Sequence, residues 1–134
     1  MRILLDTNAY VAFKRNHPVV SRWVDDAEKV YFSTVVAGEL LYGFRNGSRL
    51  GHNTRELAEF LDSPYVALLP VTMDTAERYG RIATELRRAG APIPSNDMWI
   101  AAHAMEVGAE LVTFDRHFDE VAGLAFRNPA TQGA

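Results

Sequence analysis

Two short aliphatic runs, each ended by an aspartate, constrain this chain more than any other feature. Ile3-Leu4-Leu5 stops at Asp6-Thr7-Asn8, and Leu111-Val112-Thr113-Phe114 stops at Asp115. An apolar run of this length, bounded by polar residues, reads as a strand buried on both faces, the environment of a helix-covered parallel sheet. In such a sheet the strands all leave by one edge, stand about 5 Å apart, and bind ligands outside that edge. An acid directly after a strand is held there rigidly. Each aspartate also has a purely structural use, Asp6 as a helix cap and Asp115 as the start of a turn.

The intervening segments agree with a parallel sheet. Val30-Tyr31-Phe32 and Tyr65 to Leu69 supply a second and third strand, Glu110 to Phe114 a fourth, and Leu124-Ala125-Phe126 a fifth at the edge. Helices are expected from Ala9 to Arg15, from Pro18 through Trp23 and Val24, from Ser33 or Thr34 to near Gly47, and over about Thr54 to Leu61. A capping box at Asp74-Thr75-Ala76-Glu77 opens another that Gly90 closes, and Ser95 or Asn96 caps the helix carrying Asp97. Strands separated by helices predict an α/β sandwich around a parallel sheet. No second domain is visible, so residues 1–134 are read as one domain with a frayed tail over 128–134.

Composition narrows the chemistry. The chain has 134 residues, 48% apolar and 23% charged, as a globular domain does. It has no cysteine, which excludes disulfides, a thiolate nucleophile and thiolate metal ligands. No apolar stretch reaches membrane-spanning length, and the N-terminus lacks the features of a signal peptide, so a cytoplasmic protein is expected. Setting four acids aside from the formal charge of −3 leaves the remaining surface at +1. Its cations are nearly all arginine, whose fork suits phosphate.

Two further acids stand out. Glu39 lies within an otherwise apolar helix and shares a face with Val35, Tyr42 and Gly43, where an acid is costly unless something pairs with it. Asp97 falls in a first helical turn, which favours an anion, and Ala101 and Ala104 on its face let that helix sit close to the sheet. Two carboxylates about 4 Å apart repel by about 4 kcal/mol at an effective dielectric near 20. A cation relieves such a cluster. With no cysteine and no well-placed histidine, oxygen-only ligands select a hard ion, Mg²⁺ or Mn²⁺, which suits hydrolysis of a phosphodiester by activated water.

Leu4-Leu5-Asp6-Thr7-Asn8, Gly38-Glu39-Leu40-Leu41-Tyr42-Gly43, Asn96-Asp97-Met98-Trp99-Ile100-Ala101-Ala102 and Thr113-Phe114-Asp115-Arg116-His117-Phe118 resemble the successive motifs of PIN-domain ribonucleases. The strongest likeness is to VapC toxins of toxin–antitoxin pairs, and it runs from Arg2 to about Leu124. The resemblance implies a PIN-like three-layer α/β/α sandwich with a central, mainly parallel sheet of four or five strands. It implies that Asp6, Glu39, Asp97 and Asp115 are the catalytic acids and ligands of Mg²⁺ or Mn²⁺, supported by Thr7, Asn8 and Thr113. Some such proteins carry Asn in place of Asp115 and an acid about where this chain has His117, so Asp115 is the ligand the motif fixes least. The implied activity is an endoribonuclease leaving 5′-phosphate and 3′-hydroxyl ends, a homodimer silenced by a VapB-like antitoxin.

Lys14, Arg15, Arg45, Arg49 and Arg116 are the candidate RNA contacts, and Tyr42 and Phe44 the candidates for the antitoxin groove. The alternative reading is a PIN-like module that grips RNA or protein without cutting, against which stands the retention of all four acids. An aspartyl phosphatase fits worse, because it wants an acid where Asn8 stands and a lysine late in the chain, and none follows Lys29.

Overall fold

The structure is a computed structural model that describes residues 1–132. Five strands form one parallel sheet: β1 (Arg2–Leu5), β2 (Lys29–Ser33), β3 (Val66–Leu69), β4 (Glu110–Val112) and β5 (Phe126–Arg127), in the order β3-β2-β1-β4-β5. Helices α1 (Thr7–Lys14), α2 (Pro18–Asp26), α3 (Thr34–Arg45), α4 (Leu50–Leu61), α5 (Met73–Ala89) and α6 (Ser95–Val107) complete a three-layer α/β/α sandwich. Among the described residues, no helix is long and apolar enough to cross a membrane.

β1 is the central strand, flanked by β2 and β4. Ile3, Leu4 and Leu5 are all fully buried, and burial of each aliphatic side chain contributes about 1.5–3 kcal/mol. Ile3 pairs with Val30 on one side and Glu110 on the other, so β1 is flanked on both edges. The chain goes outward from β1 to β2 and β3, then returns to place β4 on the opposite side. The sheet order thus reverses at β1, and Asp6 and Asp115 leave the two strands that flank the reversal point. The Asp6 amide still donates to the Val112 carbonyl at 3.2 Å, tying these two exits together.

Several boundaries differ from those expected, for local reasons. β4 ends at Val112 because Thr113 Oγ1 accepts from the Asp115 amide at 2.9 Å and curls the chain out of the ladder. α4 begins at Leu50, earlier than the sequence suggests, with no side-chain cap. The capping box of α5 is formed by Thr72 and Thr75, so Asp74 is only a first-turn acid. α6 follows Pro94 without a side-chain cap, which leaves Ser95 and Asn96 free for other uses. Gly90 and Gly108 end α5 and α6 at φ 67°, a left-handed conformation that favours glycine. Of the tail expected to fray over 128–134, Pro129–Gln132 form a short helix, α7, started by Asn128 Oδ1 accepting from the Ala130 amide, and residues 133–134 lie outside the described residues.

His103 is buried on α6 beneath the carboxyl edge of the sheet. Its Nδ1 lies 2.8 Å from Ser33 Oγ at the end of β2, and its Nε2 lies 3.0 Å from the Pro70 carbonyl just past β3. One ring therefore bolts α6, which carries Asp97, to two strand ends. Replacing it by Leu removes both bonds, leaving Ser33 Oγ only its bond from the Val35 amide and the Pro70 carbonyl without this donor, an expected loss of about 1–3 kcal/mol. Urea denaturation of His103→Leu checks this, and a loss below about 1 kcal/mol would show that the bolt contributes little.

Candidate active site

The carboxyl edge gathers the four predicted acids around one cavity of about 420 Å³. Asp6, Thr7, Asn8, Glu39, Asn96, Asp97, Asp115 and His117 all line it. Each acid arrives by a different route. Asp6 follows β1 and Asp115 follows β4. Glu39 projects from the middle of α3, and Asp97 from the first turn of α6.

Asp6 is the most enclosed of the four, with 6% of its surface exposed. Its Oδ1 accepts from the Ala9 amide at 2.9 Å, so the residue is also the N-cap of α1. Capping and a site role coexist in one side chain. Burial raises its carboxyl from the ordinary value near 3.8 to about 6. Hydrogen bonds from Thr113 and the Ala9 amide oppose that rise, and the charges of Asp97 and Asp115 add to it. Asp97 is also raised, first by burial and then by Asp115 and Glu39, with a hydrogen bond to His117 working the other way.

The supporting groups form short chains. Thr113, fully buried, donates to Asp6 and accepts from the Asp115 amide, so one hydroxyl fixes the acids of β1 and β4 together. Thr7 donates to Glu39 Oε1 at 2.6 Å, and Asn96 reaches Glu39 Oε2 at 3.4 Å. Asn8 is exposed on the rim. Two lining residues escaped sequence reasoning as site groups, Asn96 and His117. The expectation that no histidine stands near the acids is overturned, because His117 Nδ1 lies 3.4 Å from Asp97 Oδ2 and 3.2 Å from Asp115 Oδ2. Its direction is set by a turn in which the His117 amide donates to Asp115 Oδ1, which the sequence alone does not signal.

A second cavity, of about 490 Å³, adjoins the first across Thr7 and Glu39. Lys14, Arg15 and Arg49 line it, with Phe44, Asn53 and Glu56. Lys14 pairs with Glu56 at 3.1 Å, and His52 reaches the same carboxylate at 2.9 Å. The two cavities make a groove that is acidic at one end and mixed in charge at the other. Arg45, Arg116 and Tyr42 line neither cavity; Tyr42 stands 74% exposed on α3.

Residues 3–124 match the PIN domain family. The chain is 32% identical over 131 residues to ribonuclease VapC2 of Haemophilus influenzae, covering 96% of this chain and 98% of that one. The chain belongs to the PIN-domain family of VapC ribonucleases. It is also 31% identical over 127 residues to the tRNA(fMet)-specific endonuclease VapC of Shigella flexneri, covering 92% and 95% of the two chains. The structure of VapBC2 from Rickettsia felis, bound to a DNA fragment from its promoter, superposes with a TM-score of 0.82 at 28% identity, covering 96% of this chain and 98% of that one. In this VapC-type chain the family match spans all four acids.

The raised Asp6 carboxyl sets a pH dependence of stability. A group held at about 6 when folded and near 3.8 when unfolded binds its proton more tightly in the folded chain. Its stabilising contribution is full below the lower value and is lost as pH rises through the upper one. Between pH 4 and pH 7 the metal-free wild type should lose roughly 2–3 kcal/mol relative to Asp6→Asn, which keeps an oxygen for the cap. Parallel urea midpoints for the two proteins across that range would contradict the desolvation of Asp6.

Proposed function

We propose that this chain is a divalent-metal-dependent endoribonuclease, the toxin of a VapBC-type pair, acting as a homodimer and silenced by a cognate antitoxin. The observation that carries the reading is the Asp6 carboxylate, nearly buried, facing Asp97 and Asp115. Buried anions that repel one another are retained where a cation occupies the space between them. The donor set fits Mg²⁺ or Mn²⁺, with carboxylate oxygens predominating. When bound, such an ion lowers the pKa of a water and offsets charge on the scissile phosphate.

The chain's own residues do the rest. Asp6, Asp97, Glu39 and Asp115 would hold the ion. Thr113 fixes Asp6 and Asp115 in one orientation, while Thr7 and Asn96 pin the two oxygens of Glu39. Such supporting bonds restrict the ligands before the ion arrives. Asn8 on the rim completes the polar lining. Lys14, Arg15 and Arg49 bind phosphates flanking the cut along the adjoining cavity. Arg45 and Arg116, outside both cavities, are left to longer stretches of RNA.

An antitoxin segment fits the same groove. Phe44 lines it and Tyr42 stands exposed nearby on the same helix, offering aromatic area at a protein interface. An antitoxin arginine directed at the acids would offset their charge as a metal does. The Rickettsia relative was solved as a toxin–antitoxin assembly, and the Shigella relative is named for cleavage of a tRNA, which supports RNA as the substrate class.

The purified chain should cleave an RNA pool with Mg²⁺ or Mn²⁺, stop with EDTA, and lose at least about a hundredfold in rate as Asp97→Asn. RNA binding without cutting in the wild type would favour the non-cleaving module instead. Growth arrest on expression, relieved by the adjacent gene, tests the toxin assignment. Arg49→Ala should lower the slope of log affinity against log salt by about 1 for any RNA sequence. An unchanged slope would remove Arg49 from the RNA path.

A further inference from the structure

The geometry points to His117 as a metal ligand that gives this site a nitrogen donor and moves its ion preference from Mg²⁺ toward Mn²⁺. The inference rests on the proposed metal-dependent reading and adds a residue and a selectivity to it.

Three donor atoms, one each from Asp97, Asp115 and His117, lie within 4.8 Å of one another. Nδ1 is the nitrogen that faces inward, 3.4 Å from Asp97 Oδ2 and 3.2 Å from Asp115 Oδ2. Adjacent ligands on an octahedral ion with bonds of about 2.1 Å are separated by about 3 Å. The observed separations therefore need only a small adjustment to take an ion between these atoms.

The turn is built to present both donors. Thr113 Oγ1 accepts from the Asp115 amide, and Asp115 Oδ1 accepts from the His117 amide, each at 2.9 Å. This pair of short bonds fixes the backbone from residue 113 to 117 and leaves Asp115 Oδ2 on the His117 side. Phe118, 1% exposed, anchors the next residue in the core. The imidazole itself is half exposed, with 52% of its side chain accessible, so it can turn onto an ion without disturbing packing.

The consequence is selectivity. Mg²⁺ is small and hard and sheds its waters reluctantly, whereas Mn²⁺, though it also favours oxygen, is softer and accepts one imidazole in place of a water at less cost. A site with carboxylates and one imidazole penalises Mg²⁺ relative to Mn²⁺. An acid at the same position would not. The histidine in this turn is thus a choice of metal written into the last motif.

Electron spin-echo spectroscopy of Mn²⁺ bound to the full chain reads the bond directly. ¹⁴N modulation is expected in the wild type and is expected to vanish in His117→Gln while Mn²⁺ stays bound. The ratio of Mn²⁺ to Mg²⁺ affinity, from calorimetric titration, should fall by about tenfold in His117→Asp, where an oxygen donor replaces the nitrogen. Mn²⁺ bound to the wild type without nitrogen modulation, or an unchanged affinity ratio in His117→Asp, overturns the assignment of His117 alone. No binding of either ion at millimolar concentration overturns both this inference and the metal-dependent reading beneath it.

Discussion

Negative charge held in a poorly solvated space is the constraint on which this architecture turns. Asp6 sits at the exit of the central strand, where its ionised form is disfavoured by lost hydration and by Asp97 and Asp115. The surrounding structure opposes that cost with fixed dipoles: a helix-starting amide at Ala9 and the hydroxyl of Thr113. Neither neutralises the charge. The remaining imbalance explains why such a pocket is better suited to binding a cation than to contributing stability, since unpaired buried charge is among the costliest features a fold can carry.

Precision at the edge comes from atoms used twice. Asp6 caps α1 and faces the cavity. Thr113 bonds acids from two neighbouring strands, and His103 joins α6 to the ends of β2 and β3 from below. Because each restraint is shared, a small change at one of them is transmitted to several donors. The flanking groove is held differently, by the Lys14–Glu56–His52 cluster on the surface, where water screens the charges. The rigid part of the cleft and the adjustable part therefore have different physical origins.

How far the sequence revealed this depends on the range of the interactions involved. Strands β1 and β4 were legible because an aliphatic run ended by an acid is a local pattern, and Glu39 because its neighbours along the helix are apolar. The α5 cap was misplaced, since Asp74 and Thr72 both satisfy the local rule and only the folded backbone chooses between them. Asn96 read as a possible helix cap but instead reaches Glu39, a partner 57 residues away. His117 was hidden for a similar reason. A turn has no periodicity, so the direction of its side chains follows from the Thr113 and Asp115 bonds and not from spacing.

The sheet order carries a consequence for how the protein is made. β4 is threaded in beside β1 only after residues 1–109 have been synthesised, and Asp115 comes later still. A nascent chain still short of that point has an open flank on its central strand and lacks both Thr113 and the last acid. On the ribosome, therefore, the cleft stays unassembled until the segment from β4 to Asp115 has been made.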